Sequence, residues 1–209
     1  MDTNIDQLHD EFLFIPLGGA GEIGMNVNLY HYKGKWIMVD LGVGFVGDLM
    51  PGITLMVADI TFIARRRKDL LGIIVTHAHE DHCGAIQYLW DELRCPVYTN
   101  RFTAAFLRAK LTESNMENAV KIHEVEPGRP LELDPFTLHF LGLTHSVPEM
   151  NAVVIDIGHL KLLHTGDWKF DSDPVVGPVS DYEGLKHFGD EGVLAMPLEG
   201  ERRLQLGSG

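Results

Sequence analysis

Four side chains that could bind a metal ion stand within six residues, in the segment His77-Ala78-His79-Glu80-Asp81-His82. Imidazole and carboxylate groups together favour zinc or a similar first-row transition metal. The segment follows the apolar residues 71–76, which have the composition of a buried strand. Side chains two apart diverge on a helix but can turn to a common point on a loop. We therefore interpret the segment as a metal-binding loop at the end of a strand.

Two further candidate ligands follow predicted strands later in the chain. His145 comes after residues 138–143, and Asp167 comes after residues 161–163 in Thr165-Gly166-Asp167. Taken singly, either residue is more typical of a turn or a cap. Beside the first cluster, both become candidates for the same metal site.

The elements that must position these residues alternate between strands and helices. Residues 12–17, 27–32 and 36–39 form a predicted meander of strands, with a turn at Lys33-Gly34. The spacing predicts helices over residues 85–93 and 102–111, the second capped by Asn100. The remaining predicted strands cover residues 71–76, 97–99, 120–125, 136–141, 151–157 and 161–163. Strands packed under helices predict a layered α/β architecture.

Composition limits the class of protein. A chain of 209 residues with 45% hydrophobic and 22% charged content fits one globular domain. The acidic N-terminus and short apolar runs predict neither export nor membrane insertion, and two cysteines without Cys-x-x-Cys spacing favour the cytoplasm. A formal charge of −13 argues against general basic attraction to nucleic acid. Bound divalent cations, however, would reverse the field locally and attract phosphate oxygens.

The metal-binding pattern as a whole resembles that of the metallo-β-lactamase superfamily. Its members share an aspartate after the first strands, the His-x-His-x-Asp-His motif, a later histidine and a later aspartate. The matching positions here are Asp40, His77, His79, Asp81, His82, His145 and Asp167. The resemblance implies the α/β class with a four-layer αββα sandwich and two divalent metal ions, Zn²⁺ first and Mn²⁺ as the alternative.

The same resemblance implies a role for each residue. One metal ion would take His77, His79 and His145, and the second would take Asp81 and His82. Asp167 would bridge both ions. From the chemistry of a metal-activated water, we separately expect Asp81 or Asp167 to take up a proton during catalysis. Asp40 would orient the metal-binding loop from outside the ligand set.

Within the superfamily, the chain is similar to the ribonuclease J family over about residues 12–195. The segments that carry the likeness are LGGAGEIGMN at 17–26, THAHEDH at 76–82, THSVP at 144–148 and TGDWKFD at 165–171. The resemblance implies hydrolysis of RNA phosphodiesters by water, a cytoplasmic location, and homo-oligomers for the whole enzyme. After about Leu194 the pattern departs from this family. We therefore expect residues 1–195 to be the N-terminal part of the domain and 196–209 an atypical tail, with the β-CASP insertion and C-terminal half absent and the fold incomplete.

Several other interpretations stay open on the residues alone. A small-molecule hydrolase such as a lactonase or thioesterase would fit the acidic composition, and a metal-binding fragment without turnover is a third class. Gly19-x-Gly21-x-x-Gly24 matches a dinucleotide fingerprint, but a predicted strand follows where that motif opens a helix. His187 is a weaker candidate for a last metal ligand. Residues 65–68, Arg-Arg-Arg-Lys, are interpreted as a solvated helix end.

Overall fold

The computed structural model describes residues 5–21, 23–45 and 52–197. A 3₁₀ helix at Ile5–Leu8 precedes the first strand. The strands are β1 Leu13–Gly18, β2 Val27–Tyr32, β3 Lys35–Val39, β4 Val43–Phe45, β5 Leu55–Val57, β6 Leu70–Val75, β7 Val97–Thr99, β8 Ile122–Glu124, β9 Leu131–Leu133, β10 Phe136–Gly142, β11 Asn151–Asp156 and β12 Lys161–His164. The helices are α1 Thr61–Ala64, α2 Glu80–Cys83, α3 Ile86–Leu93, α4 Arg101–Glu113 and α5 Tyr182–Glu191.

Two sheets carry most of the strands. The first has the order β1-β2-β3-β6-β7-β8, antiparallel among β1, β2 and β3 and parallel from β3 onward. The second is antiparallel, in the order β12-β11-β10-β9. A short β4-β5 ribbon stands beside them. In the parallel part the strand ends meet at one edge, so the segments after β3 and β6 emerge side by side.

Helices cover both outer faces of the paired sheets. Between the sheets, Ile37 and Ile74 from the first belong to one apolar cluster with Leu138 and Val153 from the second. The other face of the first sheet packs under α1, α3 and α4, and α5 packs on the outer face of the second through Phe188. The four layers are therefore helix, sheet, sheet and helix, which confirms the α/β class and the predicted αββα arrangement.

The sequence predictions were accurate for the longer elements. β2, β3, β6, β10 and α3 lie within one or two residues of their predicted bounds. The Asn100 side chain accepts a hydrogen bond from the Thr103 amide, as its predicted role as the cap of α4 requires. The strand predicted at 120–125 covers only Ile122–Glu124, and β4, β5, β9 and α1 were not predicted. In the part of the chain that is described, no helix has the length and apolar character needed to span a bilayer.

Candidate metal centre

The densest group of candidate ligands begins where β6 ends. His77 and His79 lie on the connection after β6, while Asp81 and His82 lie on α2, which begins at Glu80. The prediction that all four stand on a loop was therefore wrong for the second pair. The physical reason is that Glu80 and Asp81 place negative charge at the N-terminus of this turn, which favours a helical conformation. Lys110 on α4 donates to the Glu80 carboxylate and ties this turn to the neighbouring helix.

Three imidazole nitrogens converge at the first half of the centre. His79 Nδ1 lies 3.0 Å from His77 Nε2 and 3.2 Å from His145 Nε2. Ligand atoms about 2.0 Å from a tetrahedral zinc ion stand about 3.3 Å apart, so this spacing matches a three-histidine face. Asp167 completes the group, since its carboxylate and the three ring nitrogens all lie within 4.8 Å of one another.

A second group lies on the other side of Asp167. His82 Nε2 stands 3.4 Å from Asp167 Oδ2 and 3.7 Å from Asp81 Oδ2. The candidate ligand atoms of Asp81, His82 and Asp167 again lie within 4.8 Å of one another. Asp167 is thus common to both groups, and the six side chains named from the sequence come together around it.

Asp40 fixes which nitrogen two of the histidines present to the centre. It is fully buried at the end of β3, and it accepts bonds from the Thr76 amide (2.8 Å), from Thr76 Oγ1 (2.8 Å) and from His82 Nδ1 (2.7 Å). Because the Thr76 hydroxyl proton is directed to Asp40, its oxygen can only accept from His77 Nδ1, 3.0 Å away. His77 and His82 therefore both carry the proton on Nδ1 and turn an Nε2 lone pair toward the centre.

The glycine-rich segment before β2 lies against the same helix turn. The side-chain nitrogen of Asn26, Nδ2, stands 3.0 Å from His82 Nε2. The Asn26 backbone N–H donates to the Asp81 carbonyl over 2.9 Å. Gly42 packs so closely that a Cβ there would lie 1.6 Å from the Asp81 carbonyl oxygen. Sequence reasoning gave Asn26 no role, because an asparagine in a glycine loop has no spacing signal of its own.

The same glycine segment also excludes the dinucleotide interpretation. Gly19, Gly21 and Gly24 all have positive φ, as tight turns require, but the chain continues into the strand β2. A phosphate-binding fingerprint needs a helix at that point, with its N-terminus facing the pyrophosphate.

His145 and Asp167 are held by bonds between their own loops. Thr144 Oγ1 donates to the Lys169 carbonyl, and the Lys169 amide donates back to the Thr144 carbonyl over 2.8 Å. Gly166 takes φ +56, a conformation that glycine adopts most readily, and a Cβ there would stand 2.7 Å from Met150 Cε, the end of a flexible side chain. One residue before Thr165, the buried His164 Nδ1 lies 2.7 Å from Tyr30 Oη on the facing sheet. This link joins the two sheets directly below the Asp167 loop.

Burial sets the protonation of the ligands. Burial lowers the pKa of His77 far below its ordinary value, and the neighbouring rings of His82, His79 and His145 lower it further. The pKa values of His79 and His145 are also lowered, again chiefly by burial. Burial raises the pKa of Asp167, but the contact with His82 and the nearby rings of His145 and His79 outweigh that effect and lower it overall. At neutral pH the centre thus offers neutral imidazoles and an ionised carboxylate, the forms that bind metal.

One further observation indicates that these six side chains suit a pair of divalent cations. Asp167 Oδ1 is buried and has no hydrogen-bond partner among the described residues. A buried acceptor left in this way is costly unless another group satisfies it. A cation between the two groups would do so, and it would also relieve the mutual repulsion of three converging nitrogen lone pairs.

His187, the weaker candidate ligand, lies elsewhere. It stands on α5 with Nε2 3.5 Å from Glu191 Oε1, and it borders a cavity of about 500 Å³ between α5 and the second sheet. It belongs to neither ligand group found in the described ranges. Residues 65–68 follow the end of α1 and are largely exposed, as a solvated helix end requires.

Residues 21–200 match the sequence model of the family described as "Metallo-beta-lactamase superfamily". The chain belongs to this superfamily. Among solved structures, the metallo-beta-lactamase fold protein YhfI from Bacillus subtilis is similar with a TM-score of 0.56 and 21% identity, over 76% of this chain and 63% of that one. At that identity the likeness concerns the metallo-beta-lactamase fold alone.

Curated metallo-beta-lactamase relatives add a narrower likeness. Ribonuclease J of Sinorhizobium meliloti is 43% identical over 202 residues, which are 95% of this chain and 36% of the relative. Ribonuclease J of Thermus thermophilus is 34% identical over 194 residues, 90% of this chain and 34% of the relative. The chain thus spans about a third of the length of these relatives.

Proposed function

We propose that the protein is a metal-dependent hydrolase that cleaves RNA phosphodiester bonds with water as the nucleophile. The observation that carries this proposal is the pair of ligand groups sharing Asp167, each built from the residue types that divalent metals prefer. The similarity to ribonuclease J over 95% of the chain supports RNA as the substrate class.

We assign the ligands as the geometry groups them. His77, His79 and His145 would hold one ion, Asp81 and His82 the other, and Asp167 both. Zn²⁺ is the first choice because imidazole supplies four of the six side chains, and Mn²⁺ is the alternative. Asp40 would act on these ligands through His82 and Thr76 without touching the ions.

When bound, two divalent cations would lower the pKa of a water molecule and neutralise charge on the phosphate oxygens. The chain's own residues have separate tasks. Asp81 and Asp167 are our candidates for the carboxylates that take up the proton the water loses, since both are partly accessible, with side-chain exposures of 24% and 23%. Asp40 keeps the protons of His77 and His82 on Nδ1 and so outside the reaction space.

The proposal is tested by metal content and activity in one series. Purified chain is loaded with zinc or manganese, its metal is counted, and it is incubated with 5′-monophosphorylated RNA beside a panel of lactones and thioesters. We expect close to two ions per chain and cleavage of RNA. His77→Ala should lose metal and activity together, because it removes a nitrogen from the three-histidine face.

His123→Ala is the matched control, since His123 lies on β8 and stacks on Tyr98 away from the centre. It should keep both metal and activity. Turnover of esters alone would replace RNA by a small-molecule substrate, and bound metal without any turnover would reduce the proposal to a metal-binding fragment. A folded chain that takes up no metal would reject the site itself.

Three finer points belong to the same proposal. A cytoplasmic location is supported by two buried, unpaired cysteines, Cys83 and Cys95. Self-association is proposed because the family resemblance implies homo-oligomers, and light scattering of the purified chain tests it. The division into residues 1–195 and a tail at 196–209 stays a prediction. Ala195 and Pro197 accept hydrogen bonds from β12 and its extension, and residues 198–209 lie outside the described part of the chain.

A further inference from the structure

Three exposed aromatic rings stand together immediately after the last candidate ligand. The ring centroids of Trp168 and Phe170 are 4.4 Å apart, and those of Phe170 and Tyr182 are 5.3 Å apart. Their exposures are 42%, 50% and 47%. Exposed apolar side chains that cluster, unlike scattered ones, mark interaction surfaces. We call Trp168, Phe170 and Tyr182 the aromatic shelf.

The shelf is attached to the metal centre through Thr144. The Thr144 hydroxyl donates to the Lys169 carbonyl and accepts from the Asp171 amide, which fixes the backbone on both sides of Phe170. Ser180, two residues before Tyr182, donates its hydroxyl proton to Thr144 Oγ1 over 2.9 Å, and its Oγ also accepts from the Thr144 amide.

The shelf has two arms, Trp168 with Phe170 on one segment and Tyr182 on the other. These bonds place both arms beside two candidate ligands. Thr144 is adjacent to His145, and Trp168 is adjacent to Asp167. Any movement of the shelf backbone would therefore be transmitted to the loops that carry these ligands. A surface fixed in this way beside a reaction centre is suited to positioning a substrate.

We propose that the aromatic shelf stacks the bases of single-stranded RNA next to the metal centre; the inference rests on the proposed function. Aromatic side chains recognise unpaired bases by stacking, whatever the sequence, because every base has a π-face. Lys169, which lies between Trp168 and Phe170 in the sequence, is exposed and would supply a cation for an adjoining phosphate. With 17 basic against 30 acidic residues, the chain has little general attraction for RNA, so contacts to the bases would contribute more than usual.

A protein partner is the competing occupant, since Val175, Val176 and Val179 are also exposed between the two arms of the shelf. The two occupants differ in what they need. Base stacking depends on the rings alone, whereas an apolar protein interface would use the valines as well. Val175, which is 99% exposed, therefore provides a control within the same segment.

The test measures binding of 3′-fluorescein-labelled, 5′-phosphorylated octa-adenylate by fluorescence anisotropy, using the metal-loaded full chain. Phosphorothioate linkages in the probe slow its cleavage, and an abasic phosphate backbone of equal length serves as the second probe. We expect Trp168→Ala and Tyr182→Ala each to weaken octa-adenylate binding by about 5- to 150-fold, the range for loss of one base stack. Trp168→Phe should restore most of the affinity, and binding of the abasic backbone should change little.

Two controls separate the shelf from general surface effects. Tyr88→Ala removes a tyrosine that is 57% exposed on α3, and Val175→Ser changes the intervening segment without touching a ring. Both should bind octa-adenylate as the wild type does. Metal content measured on every variant shows whether the centre itself is intact.

The outcomes distinguish the shelf from the proposed function. If the wild type cleaves RNA but Trp168→Ala and Tyr182→Ala bind and cleave equally well, the shelf proposal is overturned and the proposed function stands. If the wild type neither binds nor cleaves RNA, both are overturned. If Val175→Ser and Trp168→Ala abolish self-association and leave octa-adenylate binding unchanged, the shelf is a protein interface and our inference is wrong.

Discussion

Replacing Asp40 by asparagine tests how the buried network controls the metal ligands. Asp40 has φ +61, a conformation that asparagine tolerates better than most residues, so the backbone can stay in place. One carboxylate oxygen becomes an NH₂ group that can only donate. If that group faces His82 and Thr76, the His82 proton must move from Nδ1 to Nε2, and the Thr76 hydroxyl turns to donate to His77. Both nitrogens that face the centre then lose their free lone pairs.

The size of the effect follows from the bonds involved. The 2.7 Å contact between His82 Nδ1 and Asp40 Oδ2 is buried and involves a charged acceptor, and such bonds contribute about 2 kcal/mol. For a chain of 209 residues this corresponds to a fall in melting temperature of about 4 to 8 °C. Loss of a partner that orients a ligand typically weakens metal binding by about 10- to 100-fold. We expect the ion held by His82 to be lost first.

The assay combines metal titration with ¹⁵N spectra of the histidine rings in the metal-free chain. Asp40→Asn should show His82 protonated on Nε2. The affinity for the ion held by Asp81 and His82 should fall by more than the affinity for the ion held by the other three histidines. Asp69→Asn is the control. Asp69 forms a 2.9 Å pair with Lys35 at the surface, where its side chain is 49% exposed, whereas Asp40 is buried. An Asp40→Asn variant that keeps the His82 tautomer and binds both ions with unchanged affinity would refute the reasoning.

Two more predictions concern pH and packing. Burial depresses the pKa of His77, so below the ordinary histidine pKa of 6.5 the unfolded chain binds more protons than the folded chain. The metal-free protein should therefore lose stability as pH falls, with a contribution from His77 of up to about 1.4 kcal/mol per pH unit. Urea unfolding between pH 7.5 and 5.5 measures the slope, and a stability that stays flat or rises toward low pH would contradict it. Gly42→Ala should cost about 3 kcal/mol or more, since its Cβ would lie 1.6 Å from the Asp81 carbonyl oxygen, which belongs to the backbone and cannot move aside. Gly142→Ala, where a Cβ meets nothing within 4 Å, should unfold nearly as the wild type does, and equal melting temperatures for the two variants would count against the packing argument.

Sequence reasoning singled out candidate ligands that the structure brings together, because residue type and strand-end position carry most of that information. His77, His145 and Asp167 each follow a strand whose hydrophobic pattern was readable, and parallel or paired strands bring such ends to one side of a sheet. The layered α/β architecture followed from the same patterns, whereas the αββα order of its layers was implied by the family resemblance. The short elements β4 and β9 were missed because three residues alone are too few to establish a period; the equally short β7 was predicted from its place directly after Pro96.

The network around the ligands was less predictable for a different reason. Asn26 meets His82 across 56 residues of sequence, and Tyr30 meets His164 across 134. Nothing local in the chain marks such pairs, because their partners are chosen by how the sheets pack. Asp40 was identified through the family resemblance, but its control of two histidine tautomers depends on the Thr76 hydroxyl, which only the three-dimensional arrangement reveals.

With a net charge of −13, the chain as a whole would not attract an RNA substrate, so bound metal ions would have to supply most of the electrostatic attraction. Asp40, Asp81 and Asp167 make the metal-free centre strongly negative, so it should repel a phosphate backbone. Two divalent cations would reverse that sign within a few ångströms, while the rest of the surface stays acidic. RNA affinity should then depend on metal loading and on contacts to the bases, with a weaker salt dependence than a basic protein shows. A fixed aromatic surface beside the centre is what such a protein would need to hold its substrate.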